Sequence, residues 1–491
     1  MKILKNVLAF RRAQASASRD LSSLRSSRYI IQGLVVCTFA LAGWSALHMY
    51  AQIAVRNQGY VPFSDAPINY RSDDLSDPVA QLERQLTAGT SSLKFEPGHG
   101  YLKSVLKLLN VPVNSQTLVF SKTSFQYKKI SPDHPRALYF NDDVYVGSVH
   151  DGKAIEVISF DPKQGAIFYL LDEHKVDHPT FQRAELDCTQ CHIAAGTRGV
   201  PGVLLRSIYP TTTGTQAPGT KSFINDQETP FDERWGGWYV TGKLGGRTHL
   251  GNGAVDEKDL NGPTDETDTK KLVALSQPFD KSSYLAPDSD VVAHLVLAHQ
   301  TQMHNLITLT SYKTRLALYA QANRIKSEGL PADTPLSDSA RQQFERPAEQ
   351  LLRYLLFANE APFPPATKIE GSSSFAKKFT ARGLRDAKGR SLRDFDLQTR
   401  TFKYPCSYLI YTKSFDSLPD PARLYIYHRL LQVLTGEDHS SDFARISAAD
   451  RQAILEILLA TKQGLPEEWR SYANSNRLHI AGRRSVPVPQ G

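Results

Sequence analysis

The chain is poor in sulfur: its 491 residues hold four cysteines and three methionines. So few cysteines exclude a disulfide framework. Cys37 and Cys406 stand far in sequence from Cys188 and Cys191, so no second Cys pair sits at zinc-ligand spacing. Long basic runs with interleaved aromatics are missing after residue 56. No nucleic-acid partner is therefore expected. Internal repeats are missing as well. Charge is scarcest near the start, where Tyr29 to Val55 contains no Asp, Glu, Lys or Arg.

That uncharged run has the length of a bilayer-spanning helix. The 28 residues before it hold Lys2, Lys5, Arg11, Arg12, Arg19, Arg25 and Arg28 against the single acid Asp20, and so carry +6 of the net +8. The positive-inside tendency keeps them in the cytoplasm and exports the bulk of the chain. Ala40-Leu41-Ala42 would pass as a cleavage site, but the apolar run continues through Trp44, Leu47, Met49 and Ile53. An uncleaved, single-pass anchor in a bacterial inner membrane is the expectation, with the remainder in the periplasm.

What the chain does have is Cys188-Thr189-Gln190-Cys191-His192. C-x-x-C-H is the attachment signature of a c-type haem. The two cysteines form thioethers to the haem vinyl groups, and the histidine becomes the proximal iron ligand. A redox dithiol does not require the following histidine. Covalent haem attachment in bacteria takes place outside the cytoplasmic membrane, in accord with the expected topology. One covalent haem c is thus expected, held by Cys188, Cys191 and His192.

The expected fold class is α+β: a small antiparallel β-meander, a largely helical haem-binding region and a helical C-terminal region, behind one N-terminal transmembrane helix. The boundaries read as 1–28 cytoplasmic, 29–55 anchor, 56–90 stalk, 91–175 β-rich, 176–360 haem region and 361–491 helical. The meander is read from short β-branched and aromatic runs at Thr117–Phe120, Ala137–Phe140, Val144–Val146, Ile155–Ile158 and Ile167–Leu170, with turn residues between them. The stretch Pro287-Asp288-Ser289-Asp290 caps a helix beginning at Val291. Asp420-Pro421 opens another that Gly436 closes, and Ser447-x-x-Asp450 opens one more.

Further site candidates are less specific. Arg206, Arg234 and Arg247 could pair with haem propionates, because a guanidinium fork matches a carboxylate. The helix from Val291 carries His294, His299, Met303 and His304. At about 100° per residue, His299 and Met303 lie roughly 40° apart and His304 some 140° from His299. Met303 or His304 is expected as the distal iron ligand, with His299 and His249 behind them. Arg234-Trp-Gly-Gly-Trp-Tyr-Val-Thr-Gly242 reads as a strand or hairpin whose backbone approaches something closely. Cys406, in an apolar run, reads as a small buried residue.

The motif and the anchor, with the phrases Arg136-Ala-Leu-Tyr-Phe-Asn-Asp-Asp143, Val200-Pro-Gly-Val203, Arg234–Gly242 and Lys403-Tyr-Pro-Cys-Ser-Tyr-Leu-Ile-Tyr411, resemble a family of exported bacterial cytochrome c-domain proteins. The resemblance spans roughly residues 90 to 470. It implies haem c and electron transfer to a redox partner protein, and no assigned substrate. Pro201 is similar in placement to the proline of class I cytochromes c whose carbonyl accepts the proximal histidine Nδ1–H. The chain departs from those compact cytochromes in its size. The leading expectation is a membrane-anchored electron carrier; the alternative is a haem-dependent oxidoreductase, peroxidase- or oxygenase-like, with a substrate pocket.

Overall fold

The short β-branched runs of residues 117–172 become strands, and alternation along them decides what each face covers. β1 (Thr117–Val119), β2 (Arg136–Phe140), β3 (Val144–Ser148), β4 (Ala154–Asp161), β5 (Gly165–Asp172) and β6 (Gln182–Arg183) run in antiparallel order. β4 and β5 pair in full register from Ala154↔Asp172 to Asp161↔Gly165. Tyr139, Val146, Val157 and Tyr169 point to one face, where they meet Val61, Ile68, Tyr70, α1 (Pro78–Thr87) and α2 (Leu102–Leu108). Phe140, Tyr145, Phe160 and Phe168 point to the other, toward the helical core. The computed structural model describes residues 61–476, apart from 257, 259, 261–271, 278 and 366–367.

After β5 comes α3 (Glu185–His192), which carries the C-x-x-C-H residues. Among the described residues, a long stretch without α-helix follows. β7 (Arg206–Ile208) pairs with β8 (Ser222–Ile224), and β9 (Trp238–Tyr239) joins the main sheet beside β1. β10 (Gly242–Lys243) pairs with the later β13 (Glu370–Gly371), and β11 (Gly253–Val255) with β12 (Leu272–Ala274). The close approach expected of Arg234–Gly242 is at Gly236, where a Cβ would stand 1.9 Å from the Ile208 carbonyl oxygen.

α4 (Val291–Glu328) is the axis of the fold. Asp290 caps it, its carboxylate accepting from the Val292 and Ala293 amides, and Gly329 ends it in the left-handed region at φ 64°. Every residue from Val291 to Thr308 is buried. A helix buried on all sides needs cover on all sides. The sheet supplies one side; α5 (Asp338–Leu355), α6 (Phe375–Ala381), α7 (Lys413–Asp416) and α8 (Asp420–Thr435) supply the others. α9 (Ala448–Thr461) and α10 (Glu467–Ser475) complete the helical layer. The caps at Gly436 and Ser447 are as the sequence implies.

The expected fold class needs correction. The molecule is α+β, but its sheet has seven antiparallel strands, closed by β9 from much later in the chain. The described residues of the haem region between 193 and 290 are built of strand pairs and 3₁₀ turns, their glycines and prolines disfavouring longer helices. A fold standing behind one transmembrane helix is not supported either. Among the described residues no helix is long and apolar enough to cross a membrane, and residues 29–55 lie outside those described. The described part of the segment read as a stalk is packed: Val61, Phe63, Ile68 and Tyr70 are buried, and the Tyr70 hydroxyl donates to the Ala166 carbonyl at 2.6 Å.

Candidate functional site

α3 places Cys188, Cys191 and His192 on one side of a single helix, since positions i, i+3 and i+4 are surface neighbours. The helix rests on β5. Cys188 is partly buried against the main core, Cys191 is exposed and His192 is half-buried. The Phe168 ring lies 5.0 Å from the His192 ring, centroid to centroid, at 48°. His192 Nδ1 hydrogen-bonds the Gly202 carbonyl oxygen at 2.8 Å, and the Gly202 amide donates back to the His192 carbonyl at 3.1 Å. A carbonyl at Nδ1 fixes the tautomer with its proton there, and the lone pair is then on Nε2. Burial pushes the imidazole below its ordinary proton affinity, against the pull of the Gly202 carbonyl. The ring is thus neutral at pH 7, the form that binds a metal.

The acceptor is one residue beyond Pro201, the position suggested by sequence. The reason lies in α4. Asn305 Nδ2 donates to the Val203 carbonyl at 2.8 Å, and Asn305 Oδ1 accepts from the Val203 amide at 2.9 Å. Gln302 Nε2 donates to the Gly196 carbonyl at 2.7 Å, and Arg198 Nε donates to Gln302 Oε1 at 3.2 Å. Two amide side chains three residues apart therefore clamp the segment 196–203 under His192. Position 202 must be glycine, because a Cβ there would be 2.2 Å from Asn305 Oδ1. Sequence reasoning missed Gln302 and Asn305. Their signal was that they are amide side chains in a helical stretch, Val291–Tyr312, with no Asp, Glu, Lys or Arg.

On the sheet beside the motif, Arg136 Nη2 and Glu156 Oε2 form an ion pair at 3.1 Å, both side chains mostly buried. Arg136 and Glu156 both act on the charge of His192, the first lowering and the second raising its proton affinity. Leu138 and Ile158, on the same face, are only partly buried against the core. The neighbourhood thus offers two thiols, one oriented neutral imidazole, an aliphatic and aromatic floor and a balanced ion pair. Two thiols and an imidazole so placed can hold a haem by thioethers and one axial bond. Among the described residues no group of three or more His, Cys, Asp or Glu side chains is placed to hold a metal ion. A tetrahedral zinc site would need such a group.

The other candidates are dispersed. Met303 is fully buried in the helical core, some 160° round α4 from Asn305. Both His299 nitrogens are engaged, Nδ1 with Gln227 Oε1 at 2.6 Å and Nε2 with Ser407 Oγ at 2.7 Å. His294 Nε2 lies 3.0 Å from both the Tyr239 carbonyl and Ser289 Oγ. His249 Nδ1 accepts from the Gly251 amide at 3.0 Å. His304 faces the sheet: its Nδ1 is 3.0 Å from the Tyr145 hydroxyl, its ring packs on Phe160 at 3.9 Å, and its Nε2 has no hydrogen-bond partner. Arg206 is exposed and donates to Ser222 Oγ at 3.1 Å. Arg234 is buried, donating to the Thr229 carbonyl at 2.7 Å and the Gln227 carbonyl at 3.0 Å. Arg247, also buried, donates to the carbonyls of Leu244 at 2.8 Å and Gln398 at 3.2 Å. Arg234 and Arg247 thus tie loops together. Cys406 is fully buried, and burial pushes its thiol far up. Comparison of the chain with protein-family models, with curated proteins and with solved structures finds no match.

Proposed function

We propose that this chain is a c-type haem protein carrying one covalent haem, and that it transfers electrons to a redox partner protein. The observation that supports this most is the hydrogen bond from His192 Nδ1 to the Gly202 carbonyl at 2.8 Å. Metal-ligating histidines characteristically donate their second ring N–H in this way. Cys188 and Cys191 would tether the ring, and His192 would ligate the iron. Bound there, the haem would supply one-electron chemistry at its iron. The exposure of Cys191 and the half-exposure of His192 would keep one edge of the group near the surface, where a partner can approach. For the distal side, His304 takes precedence over Met303, His299 and His249, because its buried Nε2 alone among them is known to lack a partner.

A haem-dependent peroxidase stain on a denaturing gel tests the assignment. Wild-type protein matured with haem should stain, and the Cys188→Ser, Cys191→Ser double variant should not. A stain that survives in the double variant, or no stain in the wild type, would sink the assignment.

A second reading, a haem oxidoreductase, draws on one observation. A buried chain of hydrogen bonds runs from the Tyr408 hydroxyl to Gln300 Oε1 at 2.6 Å, from Gln300 Nε2 to the Tyr145 hydroxyl at 2.9 Å, and on to His304. Such a chain can hold and pass a proton in a dry site. Mixing the reduced protein with peroxide, oxygen, carbon monoxide and nitric oxide separates the two readings. Inertness to all four supports the carrier; rapid turnover of peroxide or oxygen supports the enzyme.

A further inference from the structure

On the far side of the sheet from α4, a cleft of about 270 Å³ lies between the turn 95–100, the β3–β4 turn and residues 283–285. Phe95, Tyr139, Tyr284 and Leu285 form its apolar walls. The hydroxyls of both tyrosines are engaged with the protein, Tyr139 with Gln116 Oε1 at 2.6 Å and Tyr284 with the Pro135 carbonyl at 2.8 Å. Tyr139 is fully buried, so the rings with surface left to offer a ligand are those of Phe95 and Tyr284, both half-buried. Two carboxylates line the same cleft, Asp151, which is exposed and 3.8 Å from His150 Nε2, and Glu173. Glu173 is half-buried, and among the described residues its side chain makes no ion pair and no hydrogen bond.

A half-buried carboxylate without a cationic partner is costly, and proteins ordinarily pair such a group. Here the partner is missing and a cleft stands in its place. Aromatic rings beside a carboxylate are the surroundings that recognise an organic cation, the rings through their negative faces and the carboxylate through its charge. Among its charged neighbours, Glu156, Asp172 and Asp151 add negative charge beside Glu173, and His174 opposes them. We propose that this cleft binds a small organic cation, a protonated or quaternary amine with an apolar body, with Glu173 as its counter-ion and Phe95 and Tyr284 as its walls. The site is independent of the haem reading.

The proton competes with such a ligand. Burial first, then Glu156, Asp172 and Asp151, raises the Glu173 carboxyl to about 7, while His174 opposes the rise. His99 and His150 line the cleft too. Affinity should therefore fall as the pH drops through neutrality.

The probe is benzyltrimethylammonium, whose charge does not titrate, added to the full-length protein and followed by isothermal titration calorimetry. Saturable binding is expected, with a dissociation constant of roughly millimolar or tighter. Benzenesulfonate, of like size and opposite charge, should not bind. Glu173→Gln should weaken the cation by about tenfold and flatten the pH dependence. Tyr284→Leu should weaken it while leaving that pH dependence in place. Absence of saturable binding in the wild type, equal affinity in a folded Glu173→Gln variant, or equal binding of benzenesulfonate each overturns the proposal. Should Glu173→Gln fail to fold, the wild-type affinity between about pH 8 and pH 6 decides: a constant value overturns the proposal.

Discussion

Asn305 holds both backbone groups of Val203, donating to its carbonyl at 2.8 Å and accepting from its amide at 2.9 Å across 102 residues of sequence. The adjacent Gly202 carbonyl is thereby presented to His192. Asn305→Ala would leave a buried N–H and a buried C=O unpaired. At about 1–3 kcal/mol for each unsatisfied group, a loss of roughly 2–5 kcal/mol is expected. Urea unfolding measures it. The axial-ligand bands of the haem-loaded variant should move as well, because the orientation of His192 is no longer fixed. Stability within about 0.5 kcal/mol of wild type would remove the clamp from the account.

Gly202→Ala should reproduce part of that loss by the opposite route. Its Cβ would meet Asn305 Oδ1 at 2.2 Å, so either the amide or the loop must move. Gly236→Ala is the harsher case, with backbone oxygen at 1.9 Å. The expected outcome for Gly236→Ala is a cost of about 3 kcal/mol or more, read as a large fall in thermal midpoint or as insoluble expression. Normal stability in either variant would show that these loops can shift at little cost.

Burial holds His294, His299 and His304 far below the ordinary histidine value, each at about 3. In the unfolded chain they titrate near 6.5. Between those values the unfolded state binds more protons than the folded one. Stability is therefore fully present above about pH 6.5 and is lost as the pH falls toward 3, at up to about 1.4 kcal/mol per pH unit for each histidine. Chemical denaturation at pH 7, 6 and 5 reads this slope. His299→Gln should make it shallower by about one proton; an unchanged slope would mean that His299 is not neutral in the fold.

Arg234 separates two roles for a buried guanidinium. If it serves mainly to tie the Thr229 and Gln227 carbonyls, Arg234→Leu should cost about 2–4 kcal/mol by leaving them unpaired, with the haem spectrum and potential unchanged in the folded fraction. A shifted potential with normal stability would instead point to a haem carboxylate as its partner.

Met303→Leu conserves volume in a packed core, so a cost of less than about 1.5 kcal/mol is expected, with no change in the axial-ligand bands. His304→Ala is the variant expected to change those bands. The reverse pattern would make Met303 the distal ligand.

Much of this molecule is written in short-range pattern. The C-x-x-C-H spacing, the short β-branched and aromatic runs between 117 and 171, the capping stretch 287–290, the glycine stop at 436 and the cap at Ser447 all act over a few residues, and sequence alone located them. The close approach at Gly236 could be inferred from its composition, though not its neighbour, Ile208. What surrounds the motif was decided only by tertiary structure. The choice of Gly202 over Pro201 depends on Asn305, the engagement of His299 on Gln227 and Ser407, and the burial of Arg234 on a loop and the helical layer. Each joins residues far apart in the chain, and a single sequence carries no record of which distant residues meet. The same holds for the partner of β9: a strand or hairpin was legible in Arg234–Gly242, but not that Trp238 and Tyr239 would extend the sheet at the edge of β1. So short a strand is stable only because that edge is already there to pair with it.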